Sequence, residues 1–253
     1  VSLRVLYQDS AIVVIDKPAG FHVHPPEDAK HKIANSVNCL YLLSHQINAY
    51  LYPVHRLDRA TSGVLVFALR SEVATALSRL FSERLIEKTY FAVVRGWIEP
   101  GLSKVDHPLK EFNQSGEAIP RESVTYYESL AHVELPTPVG KFPTARYSLV
   151  RISPETGRMH QIRRHFAHLS HPLIGDTLYG DTPHNRFFRE KFGVHQLYLK
   201  AFSLKFEHPV LNQWVGFHSR WNHSWHQIFD TFNFCPHEPI VGLDGGLILV
   251  SPK

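Results

Sequence analysis

The stretch from His55 to Leu69 holds the groups whose types and spacing could do chemistry. Arg56 and Arg59 bracket one carboxylate, Asp58, and Thr61-Ser62-Gly63 follows as a turn. A carboxylate near a core is costly unless its charge is compensated, and a neighbouring cation also favours its ionised form. An ionised acid of this kind can serve as a nucleophile or a base. It can equally be a loop aspartate paired to an arginine for structure, and these residues alone leave both readings open. With no second acid beside it, Asp58 does not suit the paired-carboxylate chemistry of glycosidases. Val64 to Leu69 is an unbroken apolar run of strand length, rich in β-branched and aromatic residues. It reads as a strand buried on both faces, so Asp58 belongs to a loop that feeds a central strand.

A second set of reactive groups lies in Thr156 to Leu169 (TGRMHQIRRHFAHL), entered from a Pro154-Glu155-Thr156-Gly157 turn. Wound as a helix at about 100° per residue, Met159, Ile162, Phe166 and Leu169 fall within an arc of roughly 80°, a buried stripe. Arg163 lies only about 40° beyond its edge. It is therefore the arginine expected to turn inward, where it needs an anionic partner. Arg158, Gln161, Arg164 and His168 point elsewhere, Arg164 toward solvent or a phosphate. His160, His165, His168 and His171 raise the question of a metal, since histidines three apart share a helix face. Against it, three arginines are interleaved and no carboxylate lies inside the cluster. A basic helix facing a nucleic-acid backbone accounts for the same residues, because phosphate neutralisation by Lys and Arg supplies most of such affinity.

Around these segments, strands outnumber helices. Val5-Leu6-Tyr7 and Ala11 to Ile15 flank Gln8-Asp9-Ser10 as a hairpin. Asp16-Lys17-Pro18-Ala19-Gly20 stops it, since proline removes a ladder donor and glycine permits a turn. Phe21 to Pro26 reads as a stiff loop and Ile33 to Leu43 as helical. Ser71 to Arg84 is the clearest helix of the first half, with Ser71 as N-cap and Val73, Leu77, Leu80 and Phe81 on one face. Strands are expected at Lys88 to Gly96, Ser123 to Val133 and Ala145 to Ile152, with 99–122 a surface excursion and 134–143 a proline-rich loop. His171 to Asp176 reads as a tight turn and 179–193 as a polar insertion. Gln196 to Phe206 reads as a long strand with one bulge, partnered by Trp214 to His218. Strands that do not alternate regularly with helices imply an α+β fold rather than a doubly wound one.

Composition narrows the class further. Hydrophobic content of 43% and charged content of 20% belong to a globular chain, and 253 residues suffice for one large domain or two closely packed ones. A formal charge of +4, with 18 histidines besides, favours a polyanionic partner. Cys39 and Cys235 stand far apart without metal-type spacing, which fits a reducing cytoplasm and not a disulfide framework. No segment reaches membrane-spanning length and no signal pattern opens the chain. No G-x-S-x-G elbow, phosphate loop, dinucleotide fingerprint or H-E-x-x-H occurs.

Four blocks, in order, give the chain a resemblance to the RluA-type pseudouridine synthases. Asp16-Lys17-Pro18-Ala19-Gly20 with Val23-His24 resembles the family's first block, and His55-Arg56-Leu57-Asp58 with Thr61-Ser62-Gly63 its catalytic block. Lys88-Thr89-Tyr90 resembles its Lys-x-Tyr block. Thr156 to Arg163, with His165, His171-Pro172 and Gly175-Asp176, resembles its last. The second and fourth are long and unusual enough to be specific. Two positions depart from the pattern: Asp16 stands where many relatives carry Asn, and Ser170 where glycine is common. The segment Asn185 to Ala201, the Arg164-His165 pair and the lack of an S4-type leader are similar to the branch that acts on tRNA.

The resemblance implies a pseudouridine synthase fold, a mixed and mostly antiparallel central sheet flanked by helices and loops. It implies a single catalytic domain over 1–253, with the tail from about 232 unassigned and no S4 domain. The implied reaction breaks the N1–C1′ bond of a uridine, turns the uracil and rejoins it through C5, with no cofactor, metal or energy source. The implied partner is tRNA, at uridine 65 of its T-stem, with no membrane, no protein partner, a monomeric state and a cytoplasmic location. By the same resemblance Asp58 is the essential aspartate, attacking C1′ or removing the C2′ proton, two routes the sequence leaves open. Arg163 is the arginine that pairs with Asp58, Tyr90 stacks on the target base, and Arg56 fills the space left by the flipped nucleotide. His55, Arg59, Arg158 and Arg164 complete the expected RNA-binding set. An rRNA substrate, a non-catalytic RNA chaperone on the same scaffold and a metal-dependent hydrolase are the competing readings.

Overall fold

The computed structural model describes residues 2–24, 34–113 and 115–234, and the backbone of Ile248–Leu249. These group into two compact units, one of 1–88, 200–220 and 240–253, the other of 89–199 and 221–239.

The first unit opens on the expected hairpin, β1 (Arg4–Gln8) and β2 (Ile12–Lys17). Asp9 closes it, its carboxylate accepting the Ala11 and Ile12 N–H groups at 2.7 and 2.8 Å. Helix α1 (Cys39–Ile47) starts later than the pattern from Ile33 suggested. Its N-cap is Asn38, whose side chain accepts the Tyr41 N–H, and Asn35–Val37 before it form a separate 3-10 turn; Ile33, like Pro25 and Pro26, lies outside the described residues. After β3 (Tyr52–Pro53) comes β4 (Ser62–Ala68), buried along its whole length as its apolar run requires and paired antiparallel with β2. Helix α2 (Ser71–Ser82) buries Val73 and Leu77. Arg70, not Ser71, occupies its cap position, and no side chain caps it.

The second unit holds β5 (Glu87–Arg95), β6 (Gly101–Asp106), β7 (Leu109–Phe112), β8 (Ala118–Arg121), β9 (Val124–Leu135) and β10 (Ala145–Pro154). Four of them lie in the order β5-β10-β9-β6, every neighbour antiparallel, and β7 and β8 form a ribbon of their own. Residues 99–122 are thus three strands rather than an excursion. They escaped the pattern because β6 to β8 bury almost no side chains, which removes the apolar alternation that marks a strand. Helix α3 (Gln161–His168) is shorter than the expected Thr156 to Leu169. The polar insertion after residue 179 contains α4 (Thr182–Phe192), capped by Asp181 on the His184 N–H and stopped at Gly193.

The chain then re-enters the first unit with β11 (Leu199–Glu207), parallel to β4 and antiparallel to β12 (Trp214–His218). The β11–β12 register is continuous, with no bulge. The phase change that suggested one arises because Leu199 to Phe202 are buried on both faces. Side chains of β2, β4, β11 and β12, among them Ile12, Val64, Val66, Leu204 and Phe217, close the core over α2. Helix α5 (His223–Phe232) packs Trp225, Ile228 and Phe229 into the second unit from an Asn222 cap. Last, β13 (Ile248–Leu249) pairs with β12. Among the described residues, five α-helices and mixed strand pairing make the fold α+β. Among the described residues no helix is long and apolar enough to cross a membrane.

Candidate active site

In the first unit, Asp58 sits half-buried in the loop before β4, its carbonyl accepting the Thr61 N–H at 3.0 Å to close the turn. Gly63 completes the passage into the strand at φ +120°, where a Cβ would stand 2.0 Å from the Ala201 carbonyl oxygen. Only glycine fits there. Arg59 is exposed, and its Nε donates to the Gly20 carbonyl at 3.1 Å while its own carbonyl accepts the Gly20 N–H at 2.8 Å. Arg56 is exposed.

The cation buried beside this loop is neither arginine. Lys17 is wholly buried at the end of β2, and its Nζ donates to the carbonyls of Pro18, Phe21 and Arg59 at 2.9, 2.8 and 3.2 Å. Burial pulls its pKa down to about 8; Cys39 and the Asp58 charge oppose that fall, and Arg59 adds to it. Lysine is among the residues least often buried, so its type gave no hint of this place.

His55, expected among the RNA contacts, packs inward. Its ring stacks on Phe81 at 4.5 Å and its Nε2 accepts the Val66 N–H at 3.1 Å. Burial, with the Lys88 charge adding, pulls its pKa down to about 3. At neutral pH it carries no positive charge for a phosphate.

In the second unit, Gln161 decides where α3 begins. Its Oε1 accepts the Thr156 hydroxyl (2.7 Å) and the Arg158 N–H (3.0 Å), and its Nε2 donates to Val124 O and Thr125 Oγ1, both at 2.9 Å. That network folds 156–160 into a turn, with His160 left-handed at φ 55°. Met159, expected on the buried stripe, is therefore 55% exposed, while Ile162 and Phe166 are buried as expected.

Arg163 does turn inward, to 4% exposure. Its Nε and Nη2 donate to the two carboxylate oxygens of Asp176 at 2.8 and 2.9 Å, and its guanidinium lies 5.3 Å from the Tyr179 ring. Burial alone would raise the Asp176 pKa, but Arg163 and the backbone N–H groups of Tyr179 and Leu178 hold it below the usual carboxylate range.

Arg158 and Arg164 stay partly exposed. The first donates from Nε to Glu122 O, just after β8, and the second from Nη2 to Lys110 O, within β7, each at 3.1 Å. Tyr90 lies partly buried on β5, opposite Ile152 of β10.

The histidines of the last block make structural contacts. His165 bridges Thr125 Oγ1 and His107 O, His168 stacks on His107, and His171 Nδ1 meets Arg95 O at 2.8 Å. Among the described residues no group of three His, Cys, Asp or Glu side chains could hold a metal ion. Ser170 is left-handed at φ 63°, a conformation in which glycine is the easier choice.

Each unit thus has a polar cluster of its own. In the first, Asp58 and Arg59 share a loop that Lys17, at the end of β2, is bonded to; in the second, Arg163 is fixed by Asp176 and Tyr179. Lys17 and Asp176 were the groups the sequence did not single out. Both lie inside the quoted blocks, and their only signal was a charged residue beside a Pro or Gly turn.

Comparison with known proteins identifies the family. The family model for RNA pseudouridylate synthase matches residues 11–168. The tRNA pseudouridine synthase C of Vibrio parahaemolyticus serotype O3:K6 is 45% identical over 241 residues, 92% of this chain and 96% of that protein. The Yersinia pestis protein of the same name is 43% identical over 93% of this chain and 94% of its own length. Among solved structures, human RNA Pseudouridylate Synthase Domain Containing 4 shares the fold at a TM-score of 0.68 and 23% identity, covering 91% of this chain and 93% of that one. From its first strand hairpin to the end of α3, and well beyond, the chain belongs to the RNA pseudouridylate synthase family.

Proposed function

We propose that this isomerase, which makes pseudouridine in RNA, takes tRNA as its substrate and modifies uridine 65 of the T-stem. The observation that carries the tRNA reading is the 45% identity, over 92% of the chain, to a protein named tRNA pseudouridine synthase C. The site lies in the cytoplasm and works as a monomer.

Asp58 is the catalytic carboxylate. It either attacks C1′ or takes the C2′ proton, and both require the ionised form. In either route the N1–C1′ electron pair leaves with N1 and the uracil turns; C5 then bonds to C1′ as the Asp58–C1′ ester bond breaks and the carboxylate leaves, or, in the second route, as Asp58 returns the proton to C2′. C5 then gives up its proton and N1 gains one, so the product is an isomer and nothing else is consumed. The half-buried, loop-borne position of Asp58 supports this reading, since the acid is reachable without being fully hydrated. Arg163 is its counter-ion, Tyr90 stacks on the extruded base, and Arg56 takes the vacated place in the helix. Flipping costs a few kcal/mol, which stacking and such a plug offset. Arg59, Arg158 and Arg164 meet phosphates, and His55 contributes to the site as a neutral packing group.

Release of tritium from C5-labelled uridine in bulk tRNA tests the activity, with pseudouridine mapping in cells lacking the gene to locate the target. Release with position 65 unmodified only in those cells is the expected result. Binding of tRNA without any release would instead favour a chaperone, and release from rRNA alone would move the substrate.

A further inference from the structure

Arg163 has four side-chain torsions, and α3 alone would leave its guanidinium free to swing. Two groups prevent that. Asp176 takes Nε and Nη2 as a two-toothed fork, at 2.8 and 2.9 Å, and the Tyr179 ring lies against the guanidinium at 5.3 Å. A fork of this kind fixes the plane as well as the position of an arginine.

Asp176 is itself held from several sides. Its Oδ1 also accepts the Leu178 and Tyr179 N–H groups at 2.9 and 3.0 Å, which folds 176–179 into a turn and places the Tyr179 ring. Its carbonyl accepts from Asn185 Nδ2 at 2.7 Å, and Asn185 Oδ1 accepts the Gly175 N–H at the same distance. On the remaining side Gly175, at φ +81°, brings the backbone so close to Gln196 that a Cβ would sit 1.9 Å from its carbonyl oxygen. The carboxylate is therefore set by the turn, by α4 and by the chain before β11, and α3 adapts to it. Its side chain is 1% exposed, and that of Arg163 is 5% exposed.

We propose that Asp176 is a positioning residue for the isomerisation, locking the Arg163 guanidinium in the plane and position in which it acts. This rests on the roles given above to Asp58 and Arg163. Asp176 touches neither base nor ribose in this scheme; it acts through the arginine, and Tyr179 assists by covering the guanidinium face.

The test is Asp176→Asn, assayed for tritium release over a range of tRNA concentrations. The amide keeps an acceptor for the Leu178 and Tyr179 N–H groups but cannot form the fork. We expect kcat to fall about 10- to 100-fold, the scale of a small misplacement of a reacting group, with KM within about twofold of wild type. In an Arg163→Lys background, where no fork exists, Asp176→Asn should lower kcat no further. A wild-type kcat in the single variant, or additive losses in the double one, overturns the proposal. If Asp176→Asn does not accumulate folded, Asp176→Glu replaces it, keeping the charge but moving the carboxylate by one methylene. The same kcat loss at constant KM is expected there, and wild-type kcat again overturns it. Wild-type protein that releases no tritium removes this proposal together with the reading it rests on. Wild-type release alongside an unaffected Asp176 variant removes this proposal alone.

Discussion

Lys17 donates from Nζ to the Arg59 carbonyl at 3.2 Å, tying the end of β2 to the loop that carries Asp58. The bond is one of three to backbone carbonyls from a side chain with no exposed surface. Lys17→Met keeps the apolar stem and leaves those carbonyls short of a donor. A buried polar group left without its partner costs about 1–3 kcal/mol, so a Tm lower by roughly 4–8 °C is expected. Turnover should fall with it, because the turn from Asp58 to Thr61 loses its anchor. A thermal scan showing an unchanged Tm would remove this role from Lys17.

Asp58→Asn is nearly isosteric in a half-buried loop, and its carbonyl bond to Thr61 is untouched. We expect wild-type Tm and tRNA affinity with turnover reduced on the order of a thousandfold or more. Normal tritium release from this variant would end the assignment of Asp58 as the catalytic acid.

Arg56 is exposed, so its truncation should cost the fold almost nothing. Arg56→Ala is expected to slow base extrusion, read by the fluorescence of 2-aminopurine at the target position, while ground-state affinity stays within a few-fold. Collapsed affinity with an unchanged rate on bound RNA contradicts the plug.

Removing Arg163 strands a carboxylate. Arg163→Met leaves Asp176, 1% exposed, without its counter-charge, and breaking such a pair costs about 3–5 kcal/mol. Adding Asp176→Asn should restore most of that stability in urea unfolding and none of the turnover. Equal stability in the single and double variants would show that the buried charge is compensated elsewhere.

His55 makes stability depend on pH. Its folded pKa of about 3 lies far below its ordinary value of 6.5. The unfolded chain takes up a proton near pH 6.5 that the folded chain refuses until about pH 3. The contribution is therefore complete above pH 6.5 and lost as pH falls toward 3, with a slope of up to about 1.4 kcal/mol per pH unit. Burial shifts His165, His184 and His208 in the same direction. His55→Gln can still accept the Val66 N–H, and should flatten the acid limb of stability between pH 6 and about 4 by up to that slope. Identical slopes in the two proteins would contradict the shift.

Much of this was legible in the chain. The unbroken run Val64 to Leu69 gave a central strand because nothing but burial on both faces tolerates it, and the β1–β2 hairpin followed from its turn residues. Arg163 was correctly turned inward, yet by an argument partly mistaken, since Met159 never joins the helix. The start of α3 depends on Gln161 reaching Val124 and Thr125 in β9, a contact that no local period encodes. The Arg163–Asp176 pair spans an aperiodic turn, and Lys17 violates the usual exposure of its type. Strands β6 to β8 were hidden because they bury so little, and α5 because its His- and Trp-rich stretch has only Gln227 among the strong helix formers.

The close pass of β11 at Gly63 has a consequence for any attempt to diversify the loop around Asp58. With the Ala201 carbonyl where it is, even a single methyl group at 63 has no room. A randomised library selected only for soluble expression should thus recover glycine at this position, with catalysis never assayed. Loop and strand are yoked through that one missing atom, and neither can wander without the other.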